Sequence, residues 1–437
     1  MKKIVFNKAL LPCIFFVSAL GFFSCKKDND KATPPEIEIL SPAENTVFNM
    51  FDTVTVIFNV RDDEALTSVA VSLVDGSNNQ VQGSVNATPS SMTTSVTALY
   101  VRNEIHLPSG YYYLKVSASD GKSSNYKLRK IYINEAPRKF LGAYLVSSTG
   151  PGNVNLFAAD TLMNISSAYT YAGDFAAASL SSYNQAFYMA GQTSGNFSSL
   201  SLPGHIIGWT VPLIPSANPY FTDVISYQKN VYLAFYDGRI KGYSKTGSIV
   251  FNANIAQGFF PTRIARHPDY MLVATKEIIS STRKIVLFNG ATGTGFQESF
   301  MTQVPKEIFY KDNDNLYFFG NSGTQGVMEI YQISTNGFWT PRTLPAGFLL
   351  SAVQIDPDNY LFGMNDGTIY RYQYSITSLT TFVSGIQAGI LKYDPVNMVV
   401  FAVDGSQIRR YRFPLAQFLG STNHSASISA LELWFNK

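Results

Sequence analysis

Three charged residues, Asp223, Arg263 and Glu307, stand at one position of three successive sequence units, each five residues ahead of a turn. Val224, Ile264 and Ile308 follow directly and read as core, so period-two alternation turns the charged side chains the other way. Two carboxylates and a guanidinium brought together could hold a polar ligand or pair with one another. A second acidic group, Asp62, Asp63 and Glu64 with Asp120, offers the oxygen ligands that calcium takes, or else fills polar turns. Tyr220, Phe221, Phe259, Phe260 and Phe348 stand where units begin. They could form platforms for sugar rings or apolar side chains, or pack between neighbouring units. The histidines (His106, His205, His267, His424) do not cluster, and no His-x-His, His-Glu-x-x-His or Gly-x-Ser-x-Gly occurs. A metal-dependent lactonase or lyase would need several acids or histidines converging, and only Asp223 and Glu307 can be assembled. No catalytic residue is assigned.

The two cysteines narrow the chemistry further. Cys13 lies inside an apolar stretch, Ala9 to Phe23, that follows a basic start at Lys2, Lys3 and Lys8. Residues 1–24 therefore have the layout of a secretory signal. It ends Phe22-Phe23-Ser24-Cys25, and a small residue before Cys resembles a bacterial lipoprotein signal, in particular those of Bacteroidetes lipoproteins. The resemblance implies lipidation at Cys25, with acyl chains such as palmitate. Phe22, where Leu is more usual, and bulky Phe23 depart from the pattern. Residues 25–35, with Lys26-Lys27-Asp28-Asn29-Asp30-Lys31, read as a disordered polar tether. The Lys-Asp-x-Asp run also resembles a short acidic export tag to the outer face of the cell. A mature chain starting at Cys25 has no thiol left in its domains for catalysis, disulfides or metal ligation.

Composition excludes other partners. Charged residues make up 14 %, and the 33 basic residues without Lys2, Lys3 and Lys8 balance the 30 acidic ones. A near-neutral chain lacks the basic face a nucleic-acid partner requires. The 26 Tyr and 32 Phe favour sheet over solvated helix. No stretch beyond the leader is apolar and long enough to span a bilayer.

Residues 36–134 carry short alternating runs. Val54, Val56 and Phe58 alternate with Thr55, Ile57 and Asn59; Gly110-Tyr111-Tyr112-Tyr113-Leu114-Lys115-Val116 and Lys130-Ile131-Tyr132-Ile133 follow. Such runs over about a hundred residues predict an all-β sandwich. The Gly110 to Gly121 segment resembles a strand of bacterial immunoglobulin-like and cadherin-like modules. Such modules imply a spacer or adhesion unit; calcium at Asp62, Asp63, Glu64 and Asp120 would follow the cadherin manner.

Residues 140–437 repeat one unit. Asp356-Pro357-Asp358-Asn359 precedes Tyr360-Leu361-Phe362, and Asp366-Gly367 turns that strand into Thr368-Ile369-Tyr370-Arg371-Tyr372. Third-strand anchors fall at Phe157, Leu200, Tyr243, Phe288, Tyr331, Tyr372 and Tyr411, spaced 43, 43, 45, 43, 41 and 39. A four-stranded propeller blade has about that length, and seven anchors predict seven blades. The first unit has one strand too few ahead of its anchor, and Ser425 to Phe435 can supply it.

The expected fold is therefore all-β: an immunoglobulin-like sandwich, then a seven-bladed β-propeller closed by the C-terminal strand. The whole resembles cell-envelope lipoproteins of Bacteroidetes, some of which accompany glycan uptake. That resemblance implies a membrane-anchored, non-enzymatic binding or scaffold protein of the outer membrane, surface-exposed or periplasm-facing, with a glycan or protein ligand. A propeller hydrolase or lyase acting on extracellular carbohydrate, and a structural part of an envelope or secretion assembly, remain alternatives. No cofactor is expected beyond calcium in the first module.

Overall fold

The computed structural model describes residues 33–89, 91–148, 152–215 and 218–437. Cys25, the leader and most of the tether lie outside the described residues. All regular structure among the described residues is β-strand. No helix there is long and apolar enough to cross a membrane. The chain divides into two compact units between Ala136 and Pro137.

The first unit stacks two sheets. One has three strands, in the order Glu36–Ser41, Thr53–Arg61, Thr93–Val101; the other has five, from Thr46–Asn49 through Ser124–Asn134, Gly110–Ser119 and Ser68–Val74 to Gln80–Ala87. Alternation decides what is buried. Val54, Val56, Phe58 and Val60 point inward with Val71, Leu73, Leu114, Val116, Ile131 and Ile133, while Thr53, Thr55 and Arg61 face water. One charge sits in this unit where no pattern announces it. Arg102 is fully buried, donates to the carbonyls of Asn49 and Asp52, lies near the Asp52 carboxylate and covers the Phe48 ring. These carbonyls satisfy its Nε and Nη2, while Nη1 is buried without a hydrogen-bond partner.

The second unit consists of seven four-stranded antiparallel sheets, counted here in chain order as sheets 1 to 7. Their innermost strands are Ile428–Phe435 (sheet 1), Ala177–Ser181, Phe221–Tyr227, Phe259–Arg266, Val304–Tyr310, Leu349–Gln354 and Ile390–Asp394 (sheet 7). Every anchor lies on a third strand as its spacing predicts. The C-terminal strand pairs antiparallel with Phe140–Ser148, placing Leu431 opposite Leu145 and completing sheet 1. Each innermost strand lies against the next, and Ile428–Phe435 touches those of both sheets 7 and 2. Second strands such as Asn359–Met364 are buried throughout, so apolar runs without alternation mark them.

Turn chemistry explains the repeated Asp residues. The Asp356 carboxylate accepts from the backbone N–H of Asp358 and Asn359 and from the Asn359 amide, which closes the first turn. Asp358 reaches sideways to Ser375 and Gln373, tying that turn to the one between the third and fourth strands. Asp314 does the same for Ser334 and Gln332 one sheet earlier. Gly367 has φ of +82°, the backbone conformation its hairpin turn requires.

Candidate functional site

A cavity of about 480 Å3 opens among the innermost strands, lined among others by Asp223, Arg263, Glu307, Ser351, Lys392 and Glu432. The predicted charged trio is thus brought together. Each member directly follows a β-bulge: register shifts fall between Phe221 and Asp223, between Pro261 and Arg263, and between Pro305 and Glu307. A bulge re-aims the side chain after it. Sheet 6 has the same irregularity between Leu349 and Ser351. Ser351 is therefore the fourth member of the series. The same five-residue count back from its turn reaches it, but serine lacks the charge that drew attention to the others.

The trio satisfies itself. Arg263 Nη2 donates to Glu307 Oε2 at 2.7 Å, and its Nη1 lies 3.6 Å from Asp223 Oδ1. Asp223 is 3 % exposed, and its second oxygen accepts from the Ile264 backbone N–H at 2.8 Å. Burial pushes the Asp223 carboxyl above its usual range, and the Arg263 charge opposes that shift. Burial likewise works against the Arg263 charge, but Glu307 and Asp223 together outweigh it and hold the guanidinium protonated. A second pair, Lys392 Nζ to Glu432 Oε1 at 2.8 Å, escaped sequence reasoning, because Lys392 and Glu432 share no aligned position.

These contacts share a direction: they bridge adjacent sheets. Ser179 accepts from Ser226 N–H (sheets 2 and 3), Asp223 from Ile264 N–H (3 and 4), and Arg263 pairs with Glu307 (4 and 5). Asn321 exchanges two hydrogen bonds with the Leu349 backbone (5 and 6), and Ser351 donates to the Ala388 carbonyl just ahead of the innermost strand of sheet 7. Lys392 and Glu432 join 7 to 1, and Trp434 and Phe435 bond to Gln185 and Ser182 of sheet 2. The polarity left over in the cavity is the exposed Lys306 and hydroxyls, as at Thr222 and Ser226, whose buried oxygens have no protein partner.

The aromatic candidates scatter in role. Phe221 is fully buried against Phe197 and Phe235 and offers nothing to a ligand, which corrects its assignment as a platform. Tyr220 packs edge-on against Phe221 and Phe235, and its hydroxyl accepts from Arg239. Phe260 stacks on Tyr236 at 4.6 Å, and Lys284 covers Phe259. Of the five only Phe348 is exposed, the other four being buried or half-buried.

The loops entering each innermost strand and the hairpins joining second to third strands do share a face. Tyr236 N–H donates to the Tyr220 carbonyl, Ile278 to Gly258 and Asn365 to Phe348. On this face sequence reasoning missed the hairpin of sheet 4. Ile278 is 52 % and Ile279 97 % exposed, with Phe300 and Val304 also uncovered at that end of the strands. Two adjacent β-branched apolar residues in a hairpin were the available signal.

In the first unit the acidic group divides. The Asp120 carboxyl accepts from Ser123 and Lys122 N–H and from the Ser123 hydroxyl, and the Ser123 backbone bond leads in holding it low. Asp62 accepts from Glu64 N–H, while Glu64 is engaged by Lys122. Burial, then Asp63 and the nearby Asp120, raise the Asp62 carboxyl. Among the described residues no three His, Cys, Asp or Glu side chains are disposed to hold a metal. Asp120 and one oxygen of Asp62 serve turns and Glu64 an ion pair, while the second oxygen of Asp62 is buried without a hydrogen-bond partner.

Comparison with known proteins identifies the first unit. Residues 35–120 match the family model of the bacterial Ig domain, and the N-terminal module is a bacterial Ig-like domain. No curated protein matches the chain. Among solved structures, the computationally designed Ika8 protein is similar at 13 % identity and a TM-score of 0.47, covering 66 % of this chain and 91 % of its own. The WD40 β-propeller domain of Doa1 is similar at 15 % identity and a TM-score of 0.45, covering 60 % of this chain and 86 % of its own.

Proposed function

We propose that this chain is a lipid-anchored, non-enzymatic binding protein of the bacterial cell envelope. Cys25 carries the acyl chains at the outer membrane, the Ig-like domain acts as a stalk, and the seven sheets close into a seven-bladed propeller that docks a protein ligand. The observation that carries the reading is the contrast between cavity and face. Five of the six charged residues lining the cavity are consumed in bridges between sheets, the exposed Lys306 being the exception, whereas the loop face leaves Ile278 and Ile279 standing in water. A hairpin tip that holds two exposed isoleucines fits a partner's apolar surface better than a sugar ring, and four of the five candidate platform rings are stacked, buried or covered, Phe348 alone being exposed. Support for closure comes from the inter-sheet bridges and the pairing of Ile428–Phe435, which leave no innermost strand without a neighbour on either side.

The test is site-specific photo-crosslinking from position 279 in cell envelopes, beside a glycan array probed with the purified protein. A discrete protein adduct at 279, absent when the probe stands at exposed Leu162 on sheet 1, supports the reading. A polysaccharide hit retained in Ile279→Glu, with no protein adduct, overturns it in favour of glycan binding. Acyl labelling of the Cys25→Ser chain tests the anchor separately: incorporation that survives the substitution removes Cys25 from the proposal.

A further inference from the structure

The Ig-like domain has two edge strands side by side, and they differ in how they are protected. Gln80–Ala87, the edge of the five-stranded sheet, pairs with its neighbour through two register shifts, around Leu73. Such irregularities blunt an edge. Thr93–Val101, the edge of the three-stranded sheet, pairs with Thr53–Arg61 over nine residues without a shift. Neither strand contains a charge or a proline, and from Ser77 to Val101 the chain has no Asp, Glu, Lys or Arg at all. The usual devices that keep an edge from pairing with another are missing.

The register tells which backbone groups are open. Asp62 N–H donates to the Met92 carbonyl, continuing the ladder one step beyond Arg61 and Thr93. Hydrogen-bonded pairs therefore fall on the even residues of this edge, Met92 to Tyr100, and the odd residues turn their N–H and C=O outward. Those are Thr93, Ser95, Thr97, Leu99 and Val101, and all five side chains are exposed. Gln82 takes the Val101 carbonyl at 2.6 Å and the Ser91 hydroxyl donates to the Thr93 carbonyl at 2.8 Å, so both ends are covered and Ser95, Thr97 and Leu99 stay open.

We infer that this edge joins a second copy of the chain, strand Thr93–Val101 pairing antiparallel with itself about a two-fold axis at Thr97. In that register Thr97 meets Thr97 and Ser95 meets Leu99, every pair uses outward-facing residues, and about six backbone hydrogen bonds form at the centre. Side-chain chemistry agrees. Opposed Thr pairs stabilise a sheet, and self-pairing opposes like charges unless, as here, the strand has none. A second copy also arrives with its strand already ordered, whereas a flexible peptide would lose conformational freedom on adding to the edge. Pairing the two three-stranded sheets makes one continuous six-stranded sheet and removes both edges.

Sedimentation velocity on the whole protein tests this. Wild type is expected to dimerise with concentration, while Thr97→Lys and Thr97→Glu, exposed substitutions, each weaken self-association by about tenfold or more through like charges at the axis. Mixing the two variants should restore a dimer containing one of each. Three results overturn the proposal: a wild type monomeric at about 100 μM, which leaves the edge to a foreign strand; a Thr97→Lys dimer of unchanged affinity; or variants that fail to pair when mixed. Circular dichroism melts confirm that both variants keep the wild-type fold, and a Thr55→Lys control, on the same face but one strand inward, should dimerise normally.

Discussion

Replacing Arg263 with Met should unmask what the cavity charges do. The guanidinium touches Glu307 at 2.7 Å and lies 3.6 Å from Asp223, so its loss leaves two carboxylates facing each other across one gap. Removing one member of a fully buried ion pair costs about 3–5 kcal/mol, because the partner remains buried and uncompensated. The Arg263 side chain is 33 % exposed, and solvent screening scales that down to about 2–3 kcal/mol. The cost should depend on pH in a definite direction. The Asp223 carboxyl is already raised by burial, and a group with a raised folded pKa contributes stability that is present at low pH and lost as pH rises through that value. Without Arg263 it rises further, so the deficit should be full at pH 7 and shrink toward pH 4. Adding Asp223→Asn should recover most of it at pH 7. Urea unfolding at both pH values, for the single and double variants, measures each term. An unchanged urea midpoint for Arg263→Met at pH 7, or a deficit equal at pH 4, would refute the bridging role.

Three further outcomes follow from packing. Deleting residues 425–437 removes Ile428, Leu431 and Phe435 from the core at roughly 1.5–3 kcal/mol each, comparable to a whole domain's stability; calorimetry should show the second unit's transition lost or broadened, and an unchanged cooperative melt refutes closure. At Gly142 (φ +144°) a Cβ would come 2.2 Å from the Ala159 carbonyl oxygen, so Gly142→Ala should lower the melting temperature of the same transition sharply, by at least about 2 kcal/mol equivalent. Burial raises the Glu329 carboxyl against the hydrogen bond from Gln303, whose own Oε1 is buried without a partner. Glu329→Gln gives that oxygen a donor, so it should stabilise by about 1 kcal/mol at pH 8. Because the wild-type contribution is lost as pH rises, the gain should fade toward pH 4, and chemical denaturation at both pH values checks it.

The sequence reveals period and leaves geometry hidden. Tyr243, Tyr331, Tyr372 and Tyr411 reveal themselves because burial on a third strand demands a large apolar side chain at a fixed interval, and turn residues such as Asp366-Gly367 punctuate it. Asp223, Arg263 and Glu307 were legible as a set because charge stands out where core is expected. Their bulges were not, since one extra residue in a strand leaves no composition signal, and so Ser351 went unnoticed beside them. Phe221 misled for a related reason. An aromatic at a strand entry reads the same whether the strand starts in solvent or, as here, inside the interface between sheets 2 and 3. Arg102 and the Lys392–Glu432 pair depend on contacts between residues far apart in the chain, which no local pattern encodes.

The bridges around the cavity bear on what this protein can do. A catalytic cavity needs polar groups held ready for a substrate, with charges whose desolvation is left partly uncompensated. Here Asp223 is answered by Arg263 and a backbone N–H, Glu307 by the same Arg263, and Glu432 by Lys392. Spending charge this way stiffens contacts between neighbouring sheets. Stiff sheets in turn hold the loop face, with Ile278 and Ile279 at one hairpin, in a fixed arrangement before any ligand arrives. Preorganisation of that kind lowers the entropy lost on docking. On the proposed binding reading the two belong together: bridges among the innermost strands hold the platform, and the apolar side chains of the sheet 4 hairpin meet the partner.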